Sequence, residues 1–275
     1  MKIGYLGPQG TFAEEAGLGP FNFKESDLVS FPSVPDVIQA VEEGTVSEGI
    51  VPMENSIEGS FNLTLDMLAF EANLLIEREV VVPIKHNLLV KKGVGLKDIK
   101  AVVSQPHATA QCRKFLKSSL SNVVTEAANS TAEAAKKVAE ENGSRAAIAT
   151  LLAAQLYGLE AIAEDIEDVK GNETRFVMLG KKRVTRTGND KTSIVVMPHE
   201  DRPGILLQIL QEFAFRFINL NKIESRPSKK ALGEYIFFID MEGHKEDAKV
   251  KKALAELKKE CDFLKVLGSY PSEKA

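Results

Sequence analysis

The chain has 275 residues, a formal net charge of -4, and shares of hydrophobic (44%) and charged (27%) residues that are ordinary for a globular protein. This length predicts one large domain or two smaller ones, and the acidic balance argues against a general nucleic-acid binder. No apolar run approaches the roughly 20 residues of a membrane span, and the N-terminus lacks the apolar core of a signal peptide. We therefore expect no membrane contact and a cytoplasmic location.

The cysteines and histidines give no sign of a metal centre or of a disulfide framework. Cys112 and Cys261 fall in what look like separate domains, and two thiols make no framework. The four histidines are scattered without the spacing of metal ligands. We expect no metal and no disulfide.

The first 180 residues alternate between strand-like and helix-like runs. Ser33 opens a helix that Gly44 can end, and Ser130 begins a capping box whose helix stops at Asn142-Gly143. Such alternation predicts largely parallel sheets with helices on both faces. The predicted strands are residues 2–6, 49–51, 74–82, 87–90, 101–104 and 146–149, with further helices after 106 and from about 150 to 158.

The order of these elements predicts two lobes. Residues 80–159 look like a βαβα unit of their own, which leaves about 1–79 and 160–181 to close the other lobe. Two lobes joined by crossing strands form a cleft, and clefts between lobes are common ligand sites. We therefore predict a two-lobed α/β domain over residues 1–181.

A polar, basic segment that contains Gly, residues 181–191, separates this domain from the C-terminal part because it cannot bury an apolar face. Beyond it we predict strands at 192–197, 219–225, 234–241 and 263–268, and helices at 203–217, which Asp201 would cap, and 245–260. The order βαββαβ is that of a ferredoxin-like α+β module. This module, residues 191–275, is too small and too poor in acid–base groups for a catalytic centre.

Two polar stretches stand out as parts of a site. Thr174-Arg175 begins an apolar run, where the alternation of side chains relaxes, so we expect both groups to turn into one cleft. Glu54-Asn55-Ser56 follows another apolar run and suits a binding rim. The segment 7–12 follows a strand and offers backbone N–H groups for an anion, while 104–107 ends a strand where ligands of α/β sheets bind. Taken singly, each stretch also fits a plain turn, a solvated strand edge or a surface histidine.

Seven motifs in a fixed order resolve these alternatives. GPQGTF, VPMENSIEGSFNLTLDML, SQPHATAQC, STAEAA and GNETRF are followed by RPGILLQIL and KIESRP in the C-terminal module. Together they resemble prephenate dehydratase with an attached ACT regulatory domain, over nearly the whole chain. The resemblance implies a catalytic domain similar to the type 2 periplasmic-binding fold. It also implies cofactor-free conversion of prephenate to phenylpyruvate, with loss of carbon dioxide and water.

The resemblance assigns roles to individual residues of the cleft. It makes Thr174 the hydrogen-bond donor to the departing hydroxyl, while Arg175, with its planar fork, suits a substrate carboxylate and Phe176 would pack beside the ring. The residues that fall in the other cleft motifs and would bind the substrate's polar groups are Thr11, Asn55, Ser56, Ser104 and Gln111.

In ACT domains of this family, two motifs face an amino-acid site. The resemblance therefore implies that L-phenylalanine regulates the enzyme through a homodimer or homotetramer. The residues concerned are Gly204, Ile205, Leu206, Leu207, Glu224, Ser225, Arg226 and Pro227. A small βαββαβ sheet also leaves an edge that a second copy can cover.

The sequence departs from the family pattern at Ala13, Phe61 and Ile205, and its histidine stands at position 107 rather than directly after Ser104. We therefore carry over no role for His107. Two alternatives stay open: the same reaction on arogenate, which has an amine in place of the side-chain keto group, and a cytosolic amino-acid-binding sensor without chemistry.

Overall fold

A computed structural model describes residues 1–141, 143–200, 202–231 and 233–273. The strands of its first part are β1 Ile3–Leu6, β2 Leu28–Phe31, β3 Glu48–Asn55, β4 Gly59–Ser60, β5 Leu75–Pro83, β6 Asn87–Val90, β7 Ala101–Ser104, β8 Val124–Ala127, β9 Arg145–Ala149, β10 Glu160–Ala163 and β11 Glu173–Gly180. The helices are α1 Phe12–Leu18, α2 Val34–Glu43, α3 Asn62–Phe70, α4 Pro106–Gln111, α5 Arg113–Ser119, α6 Thr131–Glu140 and α7 Leu151–Tyr157. After the connecting segment come β12 Asp190–Pro198, α8 Ile205–Ala214, β13 Leu220–Pro227, β14 Tyr235–Glu242, α9 Ala248–Glu260 and β15 Cys261–Pro271.

The first lobe contains a sheet in the order β2-β1-β3-β11-β5, with β4 paired to β3. Strand β1 is parallel to β2 and β3, but β11 is antiparallel to both β3 and β5. The prediction of a largely parallel sheet is therefore wrong for this half of the sheet. The physical reason is the path of the chain, because β11 returns from the second lobe and enters between two strands of the first.

The second lobe contains a sheet in the order β10-β6-β9-β7-β8, parallel at β8-β7-β9 and antiparallel at β6 and β10. The expected lobe boundaries shift accordingly. Strand β5 runs to Pro83 within the first sheet, whereas β10 pairs with β6 in the second. Hydrogen-bond pairing between distant segments decides this, and no local pattern reveals it. The returning strand gives the strand order of the type 2 periplasmic-binding fold that the resemblance implies.

The helix ends follow their local sequence signals. The Ser33 side chain accepts from the backbone N–H of Asp36 at the start of α2, and Gly44 adopts a left-handed φ of 78° at its end. Ser130 accepts from Glu133 in the same way at α6, and Gly158 ends α7 with a φ of 67°. Helix α8 begins after Gly204, which has a φ of 88°, while the predicted cap, Asp201, lies outside the described residues.

The C-terminal module has the predicted order βαββαβ and an antiparallel sheet, β13-β14-β12-β15. Helices α8 and α9 cover one face of this sheet, where Phe213, Ile239 and Leu257 are buried. The other face packs against the first lobe, and Phe238 and Leu267 share a core with Met53 and Val177. The contact is close, because a Cβ added at Gly268 would lie 2.4 Å from the carbonyl oxygen of Ile76. The two domains therefore share one continuous core.

Both cysteines are buried, and burial raises the pKa of Cys112 to about 12 and that of Cys261 to about 11. The thiols therefore stay protonated and unreactive near neutral pH. Within the described ranges, no group of three or more His, Cys, Asp or Glu side chains is placed to hold a metal ion. No helix of the described chain is both long and apolar enough to span a membrane.

Candidate active site

A cleft of about 550 Å³ lies between the two lobes, at the ends of β3 and β11. Helices α1, α3, α4 and α6 begin at its walls, with Phe12, Asn62 and Thr131 among the lining residues. The first N–H groups of a helix lack intrahelical partners, so several free donors point towards this space. None of the described residues that line the cleft is Lys or Arg. The cleft thus offers hydrogen-bond donors and little fixed charge.

Thr174 lies at the floor of the cleft, where its hydroxyl is held by Asn55. The Asn55 Nδ2 donates to Thr174 Oγ1 at 2.9 Å and to Asn172 Oδ1 at 2.7 Å. The orientation of the Asn55 amide is determined by its oxygen, which accepts from the backbone N–H groups of Ile57 and Glu58, both at 2.9 Å. Because an amide nitrogen only donates, Thr174 accepts from Asn55 and keeps its own proton for another acceptor.

A second set of hydrogen bonds continues along the wall from Asn172. The Asn172 Nδ2 donates to Gln111 Oε1 at 3.0 Å, and Gln111 Nε2 donates to Glu58 Oε1 at 3.0 Å. His86 Nε2 also lies 3.0 Å from Gln111 Oε1, and since that oxygen only accepts, the Nε2 of His86 carries a proton. Burial lowers the pKa of His86, outweighing the bond to Gln111, so the imidazole is neutral.

Among the predicted substrate residues, Thr11, Asn55 and Gln111 line the cleft, and the buried Phe176 lines it beside Thr174. The Thr11 hydroxyl donates to the carbonyl oxygen of Leu6 at 2.9 Å, which fixes the turn before α1. Ser56 does not line the cleft, since its hydroxyl accepts from the backbone N–H of Glu173 at 3.0 Å behind it.

Ser104 is not brought to the cleft. Its side chain is fully buried and donates to the carbonyl oxygen of Ile148 at 2.8 Å, which ties β7 to β9. His107, for which we expected no role, does line the cleft, and its Nδ1 lies 3.2 Å from Glu58 Oε2 at the exposed rim. The two residues differ because Ser104 ends β7 with its side chain bonded to β9, whereas His107 lies in α4, which begins at the cleft wall.

The structure also separates Thr174 from Arg175, in contrast to the expectation that both enter one cleft. Strand β11 keeps its regular alternation, so Arg175 points to the opposite face, towards the C-terminal module. There its guanidinium donates to Asp240 Oδ2 at 2.6 Å and to the Tyr270 hydroxyl at 2.7 Å. Its Nε lies 2.7 Å from Glu79 Oε2, an ion pair by distance without the alignment of a hydrogen bond. A guanidinium held this way does not face a substrate in the cleft.

In the C-terminal module, Gly204 and Ile205–Leu207 lie at the start of α8, on the helical side of the sheet. Ser225 pairs with Phe237, whose side chain belongs to the core under the helices, so Ser225 shares this side. Glu224 and Arg226 point the other way, onto the catalytic domain, although the resemblance places all of 224–227 at the effector site. Arg226 Nε donates to Asp66 Oδ1 at 2.9 Å.

Sequence reasoning missed several residues of the cleft wall, among them Asn172, Glu58 and His86. Asn172 and Glu58 both stand inside quoted motifs, two and three residues from an assigned residue, so the motif itself could have identified them. His86 carries no such signal. It follows a strand as a single histidine, and only the pairing of β6 with β9 brings it beside Gln111.

A larger surface concavity of about 700 Å³ is lined by Glu48, Glu77, Glu79 and Glu273 together with Arg78. Four carboxylates repel an anionic ligand, and Thr174 is not part of its lining. The cleft between the lobes is therefore the candidate active site, despite its smaller volume.

The fold and the cleft define a class: a two-lobed α/β catalytic domain that shares its core with an ACT-type regulatory module. Family models agree, since one for prephenate dehydratase matches residues 3–184 and one for the ACT domain matches residues 193–259. The chain belongs to the prephenate dehydratase family.

Individual relatives extend this likeness over the whole chain. A prephenate dehydratase of Methanocaldococcus jannaschii is 42% identical over 272 residues, which cover 97% of each chain. The crystal structure of a prephenate dehydratase from Arthrobacter aurescens in complex with L-Phe matches with a TM-score of 0.89 and 38% identity, covering 99% of this chain and 90% of that one. GqqA, described as a novel type of quorum quenching acylase, matches with a TM-score of 0.88 and 27% identity over 99% of this chain and 98% of its own.

Proposed function

We propose that this protein is a prephenate dehydratase, a carbon–oxygen lyase that converts prephenate to phenylpyruvate, carbon dioxide and water. The observation that carries the proposal is the hydroxyl of Thr174, which is held as an acceptor by Asn55 at 2.9 Å and so presents its proton to the cleft. Membership of the family and the match to the Methanocaldococcus jannaschii enzyme support the same assignment.

The reaction needs one bond to break at each end of the ring. The ring carboxylate leaves as carbon dioxide, and its bonding electrons enter the ring while the carbon–oxygen bond to the ring hydroxyl breaks. Thr174 donates a hydrogen bond to the departing oxygen, which leaves as water with a proton that solvent ultimately supplies. Threonine is a weak acid, so its role is to stabilise developing negative charge. Formation of the aromatic ring drives the elimination, so no metal or organic cofactor is needed.

Neutral donors hold the substrate in this proposal. Prephenate has two carboxylates, and the cleft lining offers no Lys or Arg among the described residues. The free N–H groups at the start of α3, Asn62–Thr64, and the amides of Gln111 and Asn172 can bind carboxylate oxygens. Helix dipoles favour negative charge at these ends.

The test is an assay of the purified chain with prephenate, followed by the absorbance of phenylpyruvate. We expect turnover with prephenate, and a parallel assay with arogenate measures the preference between the two. No product from either substrate, with an intact fold, would overturn the proposal. Acylase activity in that case would support the activity described for GqqA instead.

We further propose that L-phenylalanine binds at the start of α8 and inhibits the enzyme. The Arthrobacter aurescens structure, solved in complex with L-Phe, supports this assignment. Gly204, with a φ of 88° and open space where a Cβ would stand, allows a ligand to approach the backbone closely. Coupling of this kind is typically about 1–3 kcal/mol. The site would therefore couple the supply of the amino acid to demand.

A second copy of the chain would complete this site. Leu207 and Ile223 are exposed at 60% and 46% on the helical side of the module, and β13 is an edge strand of the sheet formed by the described residues. A symmetric pair would cover both features at once. Calorimetry with L-phenylalanine and light scattering of the full chain test the two parts, and a monomer that neither binds nor responds to the amino acid would contradict both.

A further inference from the structure

We propose that Arg175 is a positioning residue, through which the ACT domain of the same chain holds Thr174 and Asn55 in their catalytic geometry. The inference rests on the proposed dehydratase function. It makes the regulatory domain part of the structure of the active site, and it assigns to Arg175 a task on the side of the sheet that faces away from the substrate.

The register of two strands carries the first step. Thr174 lies opposite Asn55, and the next residues, Arg175 and Glu54, also lie opposite each other. The register shifts directly afterwards, between Arg175 and Phe176. Because neighbouring residues of a strand point to opposite faces, each strand contributes one neutral residue to the cleft and one charged residue to the interface. A movement of the charged pair therefore moves the catalytic pair by a similar distance.

The contacts of Arg175 with the ACT domain carry the second step. Asp240 and Tyr270 are 3% and 0% exposed, and both accept hydrogen bonds from the guanidinium. The Tyr270 hydroxyl lies 2.6 Å from the Ser193 hydroxyl, which ties the contact to β12. Burial lowers the pKa of Arg175, but Asp240, Tyr270 and Glu79 outweigh burial and keep the side chain charged. The guanidinium is thus fixed from two strands of the ACT sheet and one of the catalytic sheet.

The network also reaches the rim of the cleft. Glu54 Oε2 lies 3.7 Å from Arg175 Nη1 and 3.1 Å from Lys222 Nζ of β13. Lys222 Nζ donates to the Ser60 hydroxyl at 2.5 Å, and Ser60 lines the cleft. Strand β13 thus contacts both Glu54, on the interface face of β3, and Ser60 of β4, just before α3.

A role in positioning follows from the energetics of such a network. Burying ion pairs is close to neutral for stability compared with apolar packing, because desolvation offsets their attraction. Their directionality instead restricts geometry. A displacement of about 1 Å at a reacting group can lower a rate by about a hundredfold. A displacement of this size at β3 or β11 would disrupt the hydrogen bond from Asn55 to Thr174, which is 2.9 Å long.

The test uses Asp240→Asn, which keeps the size of the side chain and removes its charge. We expect kcat for prephenate to fall about tenfold or more, with KM changed less than about twofold, because the substrate does not touch Asp240. In a Thr174→Ala background the same substitution should lower the residual rate by less than about twofold, because the residue through which Arg175 acts is gone. A merely structural role would give the same factor in both backgrounds.

The matched control is Lys259→Gln, which breaks an exposed ion pair with Glu256 on the same domain and should leave kcat unchanged. If Asp240→Asn fails to fold, Tyr270→Phe removes one contact of Arg175 and should show a smaller loss of kcat with the same dependence on Thr174. The inference would be overturned if the wild-type protein turns over prephenate and both Asp240→Asn and Tyr270→Phe leave kcat unchanged. It would also be overturned if either substitution lowers the rate by the same factor in the wild-type and Thr174→Ala backgrounds. Absence of wild-type turnover would instead overturn the proposed function.

Discussion

The two faces of the sheet at β3 and β11 differ in chemistry although the same dipeptides build both. The cleft face presents Asn55 and Thr174, which are neutral and joined by a hydrogen bond. The opposite face presents Glu54 and Arg175, which are charged and paired with the ACT domain. The cleft face offers hydrogen-bond donors to the substrate, and no Lys or Arg is among its described lining residues. The interface face instead holds the two domains in a single arrangement.

This difference shows that the three residues of the Thr-Arg-Phe motif have two different roles, one in the cleft and one at the domain interface. Thr174 and Phe176 line the cleft, and Arg175 between them does not. The three residues are adjacent in the sequence, but they do not all belong to the binding site. Substitutions on the two faces should separate an effect on stability from an effect on turnover.

The largest effect is expected on the interface face. Arg175→Met leaves Asp240, Glu79 and Glu54 without their shared cation, and removing one partner of a buried pair costs about 3–5 kcal/mol. Urea denaturation measures the free energy of unfolding. Lys259→Met, at the exposed ion pair with Glu256, is the control and should lose less than about 1 kcal/mol. Equal losses of unfolding free energy in the two variants would show that the buried interface network contributes no more to stability than an exposed ion pair.

The cleft face should respond in turnover rather than in stability. Thr174→Ala removes one transition-state donor, which typically lowers kcat by about 10²–10³. Thr174→Ser keeps a hydroxyl and should retain most of the activity. The measurement is kcat at saturating prephenate together with the circular dichroism of each variant. A folded Thr174→Ala protein with near-normal kcat would remove Thr174 from the mechanism.

A smaller effect is expected when the partner of Thr174 changes from donor to acceptor. Asn55→Asp keeps the oxygen that accepts from Ile57 and Glu58, but the introduced carboxylate takes the Thr174 proton. We expect kcat to fall by about tenfold to a hundredfold, less than the about 10²–10³ for complete loss of a transition-state donor. Asn189→Asp, at an exposed position of the connecting segment, is the control for charge and should be neutral. A normal kcat in Asn55→Asp would contradict the assigned direction of the hydrogen bond.

The smallest effect is expected at the edge of the interface network. Tyr270→Phe leaves the other partners of Arg175 in place and removes one hydroxyl that bonds Arg175 and Ser193. The expected loss of unfolding free energy is about 1–3 kcal/mol, the cost of leaving buried groups unpaired. Thermal unfolding compares it with Lys85→Ala, whose ion pair with Asp165 is exposed. A loss of unfolding free energy no larger than that of Lys85→Ala would show that the Tyr270 hydroxyl contributes little to stability.

Local signals in the sequence determined the helix ends and the order of elements. Ser33, Gly44 and Ser130 act within one turn of the chain, because capping and left-handed φ angles involve neighbouring residues only. The motifs determined the family because their order along the chain is itself a property of the sequence, although each motif taken singly also fits a plain turn or strand edge. The neutral side of the site, with Thr174, Asn55 and Gln111, was therefore predictable.

Only the tertiary structure decided which side of the sheet each residue faces and what lies there. The sequence places Thr174 beside Arg175, and a shift of one residue in strand register exchanges the two faces. That register comes from β3 and β5, earlier in the chain, and Arg175 is held by Asp240 of β14 and Tyr270 of β15. The burial of Ser104, the arrival of His86 at the cleft and the shared core of the two domains depend on the same long-range pairing. Such pairing is cooperative over the whole fold, so no short segment encodes it.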